Sequence, residues 1–103
     1  MRHKESFAEI HWEKPAIGMK EKTLIANGSK IRLIEFSKEF HEKDWCTSSH
    51  LGYIISGTLH IEFESGIETV TSGEALHISP GEKHKTSLVV SDTVELILFE
   101  KLD

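Results

Sequence analysis

Gly73-Glu74-Ala75-Leu76-His77-Ile78-Ser79-Pro80-Gly81-Glu82-Lys83-His84 is a short alternating run closed by a Pro-Gly turn, and its pattern repeats along the chain. Leu76 and Ile78 fall in one phase and His77 in the other, the period of two expected of a half-buried strand. Upstream, His50-Leu51-Gly52-Tyr53-Ile54-Ile55-Ser56-Gly57-Thr58-Leu59-His60-Ile61 reads as strand, glycine turn, strand. Further out, Thr23-Leu24-Ile25-Ala26 and Lys30-Ile31-Arg32-Leu33-Ile34-Glu35-Phe36 flank Asn27-Gly28, a pair suited to a hairpin turn that needs positive φ. Residues 52–56, 58–63, 68–71, 75–79, 86–90 and 93–101 are the other strand candidates, punctuated by Gly57, Ser65-Gly66, Gly73, Pro80-Gly81 and Ser91-Asp92. Many short strands and no helical period predict an all-β sandwich or barrel. Residues 1–20 mix charge with isolated apolar side chains, and Pro15 interrupts them, which predicts an arm with at most one edge strand. Residues 21–103 then form the barrel, in a single domain.

Apolar residues occupy both phases of two segments, Leu33-Ile34 with Phe36 and Leu96-Ile97-Leu98-Phe99, so both faces of these strands need cover. A second copy of the chain is the simplest outer cover, and a homodimer is expected. Twelve Lys and Arg against 17 Asp and Glu give a formal charge of −5, with the basic residues scattered, which argues against nucleic acid as a partner. No apolar run reaches the length of a membrane span, and Met1-Arg2-His3-Lys4-Glu5-Ser6 has no apolar stretch of the secretory kind, so a cytoplasmic protein without a membrane partner is expected. The one cysteine, Cys46, fits a reducing compartment.

The densest set of metal-competent side chains is His41-Glu42-Lys43-Asp44-Trp45-Cys46-Thr47-Ser48-Ser49-His50. If this stretch is extended, Asp44, Cys46 and His50 share a face and bring a carboxylate, a thiol and an imidazole together. His84, after the Pro80-Gly81 turn, is placed to cross the barrel mouth toward them. Thiolate and imidazole form a zinc-like donor set.

The two glycine-anchored segments resemble the two motifs of the cupin superfamily over residues 44–87, which implies a cupin-type double-stranded β-helix, or jelly-roll barrel. In the first cupin motif two histidines separated by one residue precede a glutamate, and six residues then intervene before a turn glycine. Asp44 and Cys46 stand at the histidine positions, His50 at the glutamate position and Gly57 at the glycine. His84 matches the histidine that ends the second motif. Asp44-x-Cys46-x-x-x-His50-x-Gly52-Tyr53 is similar to a subgroup of small single-domain cupins with this thiol-and-imidazole variant. The resemblance implies a divalent metal at the barrel mouth on Cys46, His50 and His84, with Asp44 or water completing the sphere, and the thiolate-and-imidazole donor set points to zinc more than iron.

Other readings stand beside this one. Cys46 is also a small buried hydrophobe or a reactive thiol, and His50 and His84 are also hydrogen-bonded barrel residues. His41 lies outside the motif. His60 and His77 sit in the phase opposite their apolar neighbours and are expected to face outward, while His3 and His11 belong to the arm. Tyr53 and Trp45 are expected to pack, and Glu62, Glu64, Glu95 and Glu100 to face solvent. Three functions follow: a metal-binding cupin acting on a small polar molecule, a metal-free barrel that binds or senses a small ligand, and a thiol-based protein in which His50 or His84 activates Cys46. Whether the chain is an enzyme is left open.

Overall fold

The structure is a computed structural model that describes residues 3–102. It contains nine strands among these residues: β1 (Glu13–Ala16), β2 (Met19–Ala26), β3 (Ser29–Ser37), β4 (His50–Ser56), β5 (Thr58–Phe63), β6 (Gly66–Thr71), β7 (Ala75–Ile78), β8 (His84–Val89) and β9 (Thr93–Lys101). A 3₁₀ turn at Phe7–Glu9 is the one helical element described. Two antiparallel sheets, in the orders β1-β2-β3-β9-β4-β7 and β6-β5-β8, make the all-β architecture expected from the strand pattern and the jelly roll implied by the motif resemblance. No helix among the described residues is long and apolar enough to cross a membrane.

Turn chemistry fixes the strand pairing. Asn27 and Gly28 both take positive φ, 53° and 73°, as a two-residue hairpin between β2 and β3 requires. Gly57 and Gly81 link β4 to β5 and β7 to β8 with φ of 90° and 84°. The arm read from residues 1–20 supplies the edge strand β1, which carries Pro15, together with the first residues of β2. Residues 1 and 2 of that arm lie outside the described residues, as does residue 103. Trp12 sits under the ammonium groups of Lys20 and Lys22, and Lys22 Nζ donates to the Phe7 carbonyl at 2.8 Å.

The core lies between the sheets. Ile34, Ile54, Leu59, Val89 and Val94 are fully buried there, and Phe36 stacks on Phe40 with ring centroids 4.2 Å apart. Inward residues of the strands fall in alternating rows, Ile34 and Phe36 on β3, Val94, Leu96 and Leu98 on β9. The opposite phase, with Leu33, Ile97 and Phe99, faces outward, so the two apolar phases of these strands divide between core and outer surface.

Candidate metal centre

The segment between β3 and β4 is not a strand, contrary to the extended reading of residues 41–50; it is held to the edge strand β8 by hydrogen bonds. Cys46 N–H donates to the His84 carbonyl at 2.8 Å and His84 N–H returns the bond at 3.0 Å, forming an isolated bridge. Glu42 N–H donates to the Thr86 carbonyl at 2.9 Å, and its carboxylate accepts from Thr86 N–H at 3.0 Å. These bonds clip the segment against β8, and Gly81 N–H, bonded to the Thr47 carbonyl at 2.9 Å, ties in the turn before His84.

Three side chains converge as a result. One donor atom each from Cys46, His50 and His84 lies within 4.8 Å of the other two. His84 is 3% exposed, while Cys46 and His50 are half-buried. The His84 ring is fixed from behind: Nδ1 lies 2.9 Å from the Glu82 carbonyl, which accepts only if Nδ1 carries the proton. That tautomer leaves a lone pair on Nε2, and Nε2 is buried with no hydrogen-bond partner among the described residues. His50 Nδ1 is in the same condition. Buried polar atoms are nearly always hydrogen-bonded, so two orphaned imidazole nitrogens beside a thiol are what a metal site requires. An outer hydrogen bond that orients the ligating ring is a regular feature of histidine ligands.

Burial drives the His50 pKa below its ordinary value, and the neighbouring His84 and Arg32 push the same way against Glu100 and Glu42. The neutral ring that results is the form that ligates. Asp44 is exposed and stands apart from the three-residue group. Its segment lacks the strand geometry that would put Asp44, Cys46 and His50 on one face.

Around the group lies a cavity of about 1020 Å³ between the sheets, with Ile34, Leu96 and Leu98 on one side and Leu59 and Ile61 on the other. Two carboxylates reach it that the sequence reading left without a role. Glu42 is one. Glu100, expected to be solvated, is the correction: it continues the inward row of Leu96 and Leu98, and its Oε1 accepts from Arg32 Nη1 at 3.0 Å. Arg32 also binds Glu21 Oε2 through Nε at 3.0 Å and Nη2 at 2.6 Å. Burial works against the guanidinium charge, but the hydrogen bonds Arg32 donates to Glu21 and Glu100, together with the negative charge of the two carboxylates, outweigh it and raise the Arg32 pKa above its ordinary value.

Elsewhere, His41 and His77 are exposed and His60 is half-buried on the outward side of β5. Tyr53 points outward at 46% exposure instead of packing in the core, and Trp45, 39% exposed, lies beneath the Lys85 ammonium at 4.7 Å.

Neither a protein-family model nor a curated protein matches the sequence. Solved structures do match the fold. An RmlC-like cupin from Shewanella frigidimarina NCIMB 400 is similar over 100% of this chain and 93% of its own, with 19% identity and a TM-score of 0.79. The polyketide cyclase RemF from Streptomyces resistomycificus is similar over 100% of this chain and 81% of its own, at 19% identity and a TM-score of 0.77. The iron(II) form of HppE is similar over 93% of this chain and 58% of its own, at 9% identity and a TM-score of 0.74. At these identities the likeness establishes the architecture alone, a cupin-type jelly roll.

Proposed function

Taking a cupin-type barrel as the premise, we propose that this protein binds a divalent metal ion, zinc in preference to iron, through Cys46, His50 and His84, and presents it to a small polar molecule in the cavity. The observation that carries this reading is the pair of buried, unpartnered imidazole nitrogens beside the Cys46 thiol. One thiolate and two imidazoles suit zinc's tetrahedral preference, whereas non-haem iron sites favour histidine with carboxylate. That HppE, a structural neighbour, was solved in an iron(II) form is consistent with this reading. A reducing, cytoplasmic setting would keep Cys46 available as a donor.

Cys46, His50 and His84 would hold the ion, and zinc bound by them would supply Lewis-acid chemistry, lowering the pKa of a bound water toward ~7. The chain's own residues supply the surroundings. Glu82 holds the His84 tautomer through its carbonyl, Ile34, Leu59, Leu96 and Leu98 give the cavity an apolar lining, and Glu42 places a carboxylate in it.

Metal content of protein purified without a nickel column tests the reading. We expect near one equivalent of metal per chain, and its loss in Cys46→Ser, His50→Ala and His84→Ala. Zinc at ~1,000 times its Kd should stabilise the wild type by about 4 kcal/mol and the variants far less. Wild-type protein that stays metal-free after incubation with zinc or iron(II), with no gain in stability, would replace this reading with that of a metal-free binding module.

A further inference from the structure

The cavity wall beside the Cys46, His50 and His84 group carries charge that the metal reading does not use. β4 and β9 are paired with Leu51 opposite Phe99, so that His50 and Glu100, each next to a member of that pair, share the inward phase of their strands. Across β9, Glu100 is paired with Lys30 of β3, and Arg32 follows two residues on in the same inward phase. All four residues line the cavity. A belt therefore runs around the barrel mouth from the soft donors to a mixed-charge wall.

That wall is electrically balanced. Arg32 is bonded to two carboxylates, and Lys30 Nζ lies 4.0 Å from the second Glu100 oxygen. Two cations against two anions leave no surplus positive charge for a carboxylate or phosphate, and Glu100 would repel either. Hydrogen-bonding capacity nevertheless remains. A guanidinium has five N–H donors, and three Arg32 contacts are made, to Glu21 and Glu100. A carboxylate has about four acceptor sites, more than the Arg32 and Lys30 contacts to Glu100 occupy. Donors and acceptors thus sit side by side above an apolar floor of Ile34, Leu96 and Leu98. A vicinal hydroxyl pair both donates and accepts, and its carbon skeleton offers C–H faces to such a floor.

We infer that the Arg32–Glu100 wall is a binding subsite for a small, neutral, polyhydroxylated molecule of the polyol or sugar class. One hydroxyl donates to the Glu100 carboxylate and its neighbour accepts from an Arg32 N–H, while another hydroxyl reaches toward the Cys46, His50 and His84 group. This last contact rests on the metal reading; the subsite itself does not.

Saturation-transfer NMR with xylitol, 1,5-pentanediol and succinate, on zinc-loaded and zinc-free protein of measured metal content, tests the inference. Xylitol is expected to receive saturation in both forms, and the diol and succinate are not. Glu100→Gln, which preserves the side-chain shape, should weaken xylitol binding about tenfold, the loss expected for a hydrogen bond to a charged group. Arg32→Met should abolish it if the variant folds, and Glu100→Gln carries the test if it does not. Succinate binding without xylitol binding, no binding of xylitol, or equal xylitol binding by wild type and Glu100→Gln would overturn the inference. Failure of both zinc and iron(II) to bind, with xylitol contact retained in metal-free protein, would sink the metal reading and leave the subsite standing.

Discussion

His84 is held from two directions: its backbone is bridged to Cys46 and its ring is oriented by the Glu82 carbonyl, so that one nitrogen is committed and the other aimed inward. Asp44 has no comparable restraint within the site. Asp44→Ala is expected to retain the metal stoichiometry of the wild type, and loss of metal from it, measured by mass spectrometry, would show a fourth protein ligand. His50 leads to a pH prediction. Its ordinary value is 6.5, reached in the unfolded chain, and its folded pKa is lower because the ring is buried. The unfolded state therefore takes up the proton first as pH falls. The stability linked to this group is complete above 6.5 and is lost as pH falls from there through the folded pKa. Urea midpoints of metal-free protein should decline over that window more steeply than those of His50→Gln, and parallel curves would refute the assignment. Cys46, His50 and His84 were legible because two glycine-anchored spacings mark them. Arg32 and Glu100 were not, because apolar residues fill both phases of Leu96-Ile97-Leu98-Phe99 and hide which phase Glu100 continues.

β4 owes its position beside β9 to Gly52. A Cβ there would collide with the Ile97 carbonyl oxygen and crowd the Leu98 side chain at 2.8 Å. Gly52→Ala is expected to cost about 3 kcal/mol, the upper part of the range for overpacking a close-packed interior, and to carry His50 away from Cys46 and His84. Gly28→Ala, at φ +73° in open space, meets nothing within 4 Å and should cost only the ~1–2 kcal/mol of a left-handed backbone. Chemical denaturation of the two variants checks the contrast, and equal losses would remove the close-approach argument. The hairpin at Asn27-Gly28 could be read from the chain because two adjacent residues make that turn. The clip of residues 42–46 onto β8 could not, since its acceptors and donors lie about 40 residues away and one of them is the Glu42 side chain.

The whole molecule presents an outer sheet face on which Leu51, Phe99, Ile31 and Leu24 form one cross-strand row and Tyr53, Ile97 and Leu33 the next. Leu51 is 61% exposed and Phe99 45%. We propose that a second copy of the chain covers this face, since a flat apolar strip can match itself about a two-fold axis. Light scattering at micromolar concentration should give twice the chain mass, and Phe99→Lys should halve it; Phe36 is no substitute, being stacked on Phe40 in the core. A monomeric wild type would refute the pairing. β9 is the ninth strand in order of synthesis, yet it lies between β3 and β4 in the six-stranded sheet. While a ribosome is still adding residues 57–92, β3 and β4 each present a bare edge of unpaired N–H and C=O groups to whatever else is nearby. Sheet completion must wait for the β9 residues to leave the exit tunnel. Nascent chains arrested before Thr93 should therefore be protease-sensitive and hold chaperones, and both signs should vanish together once Lys101 has emerged.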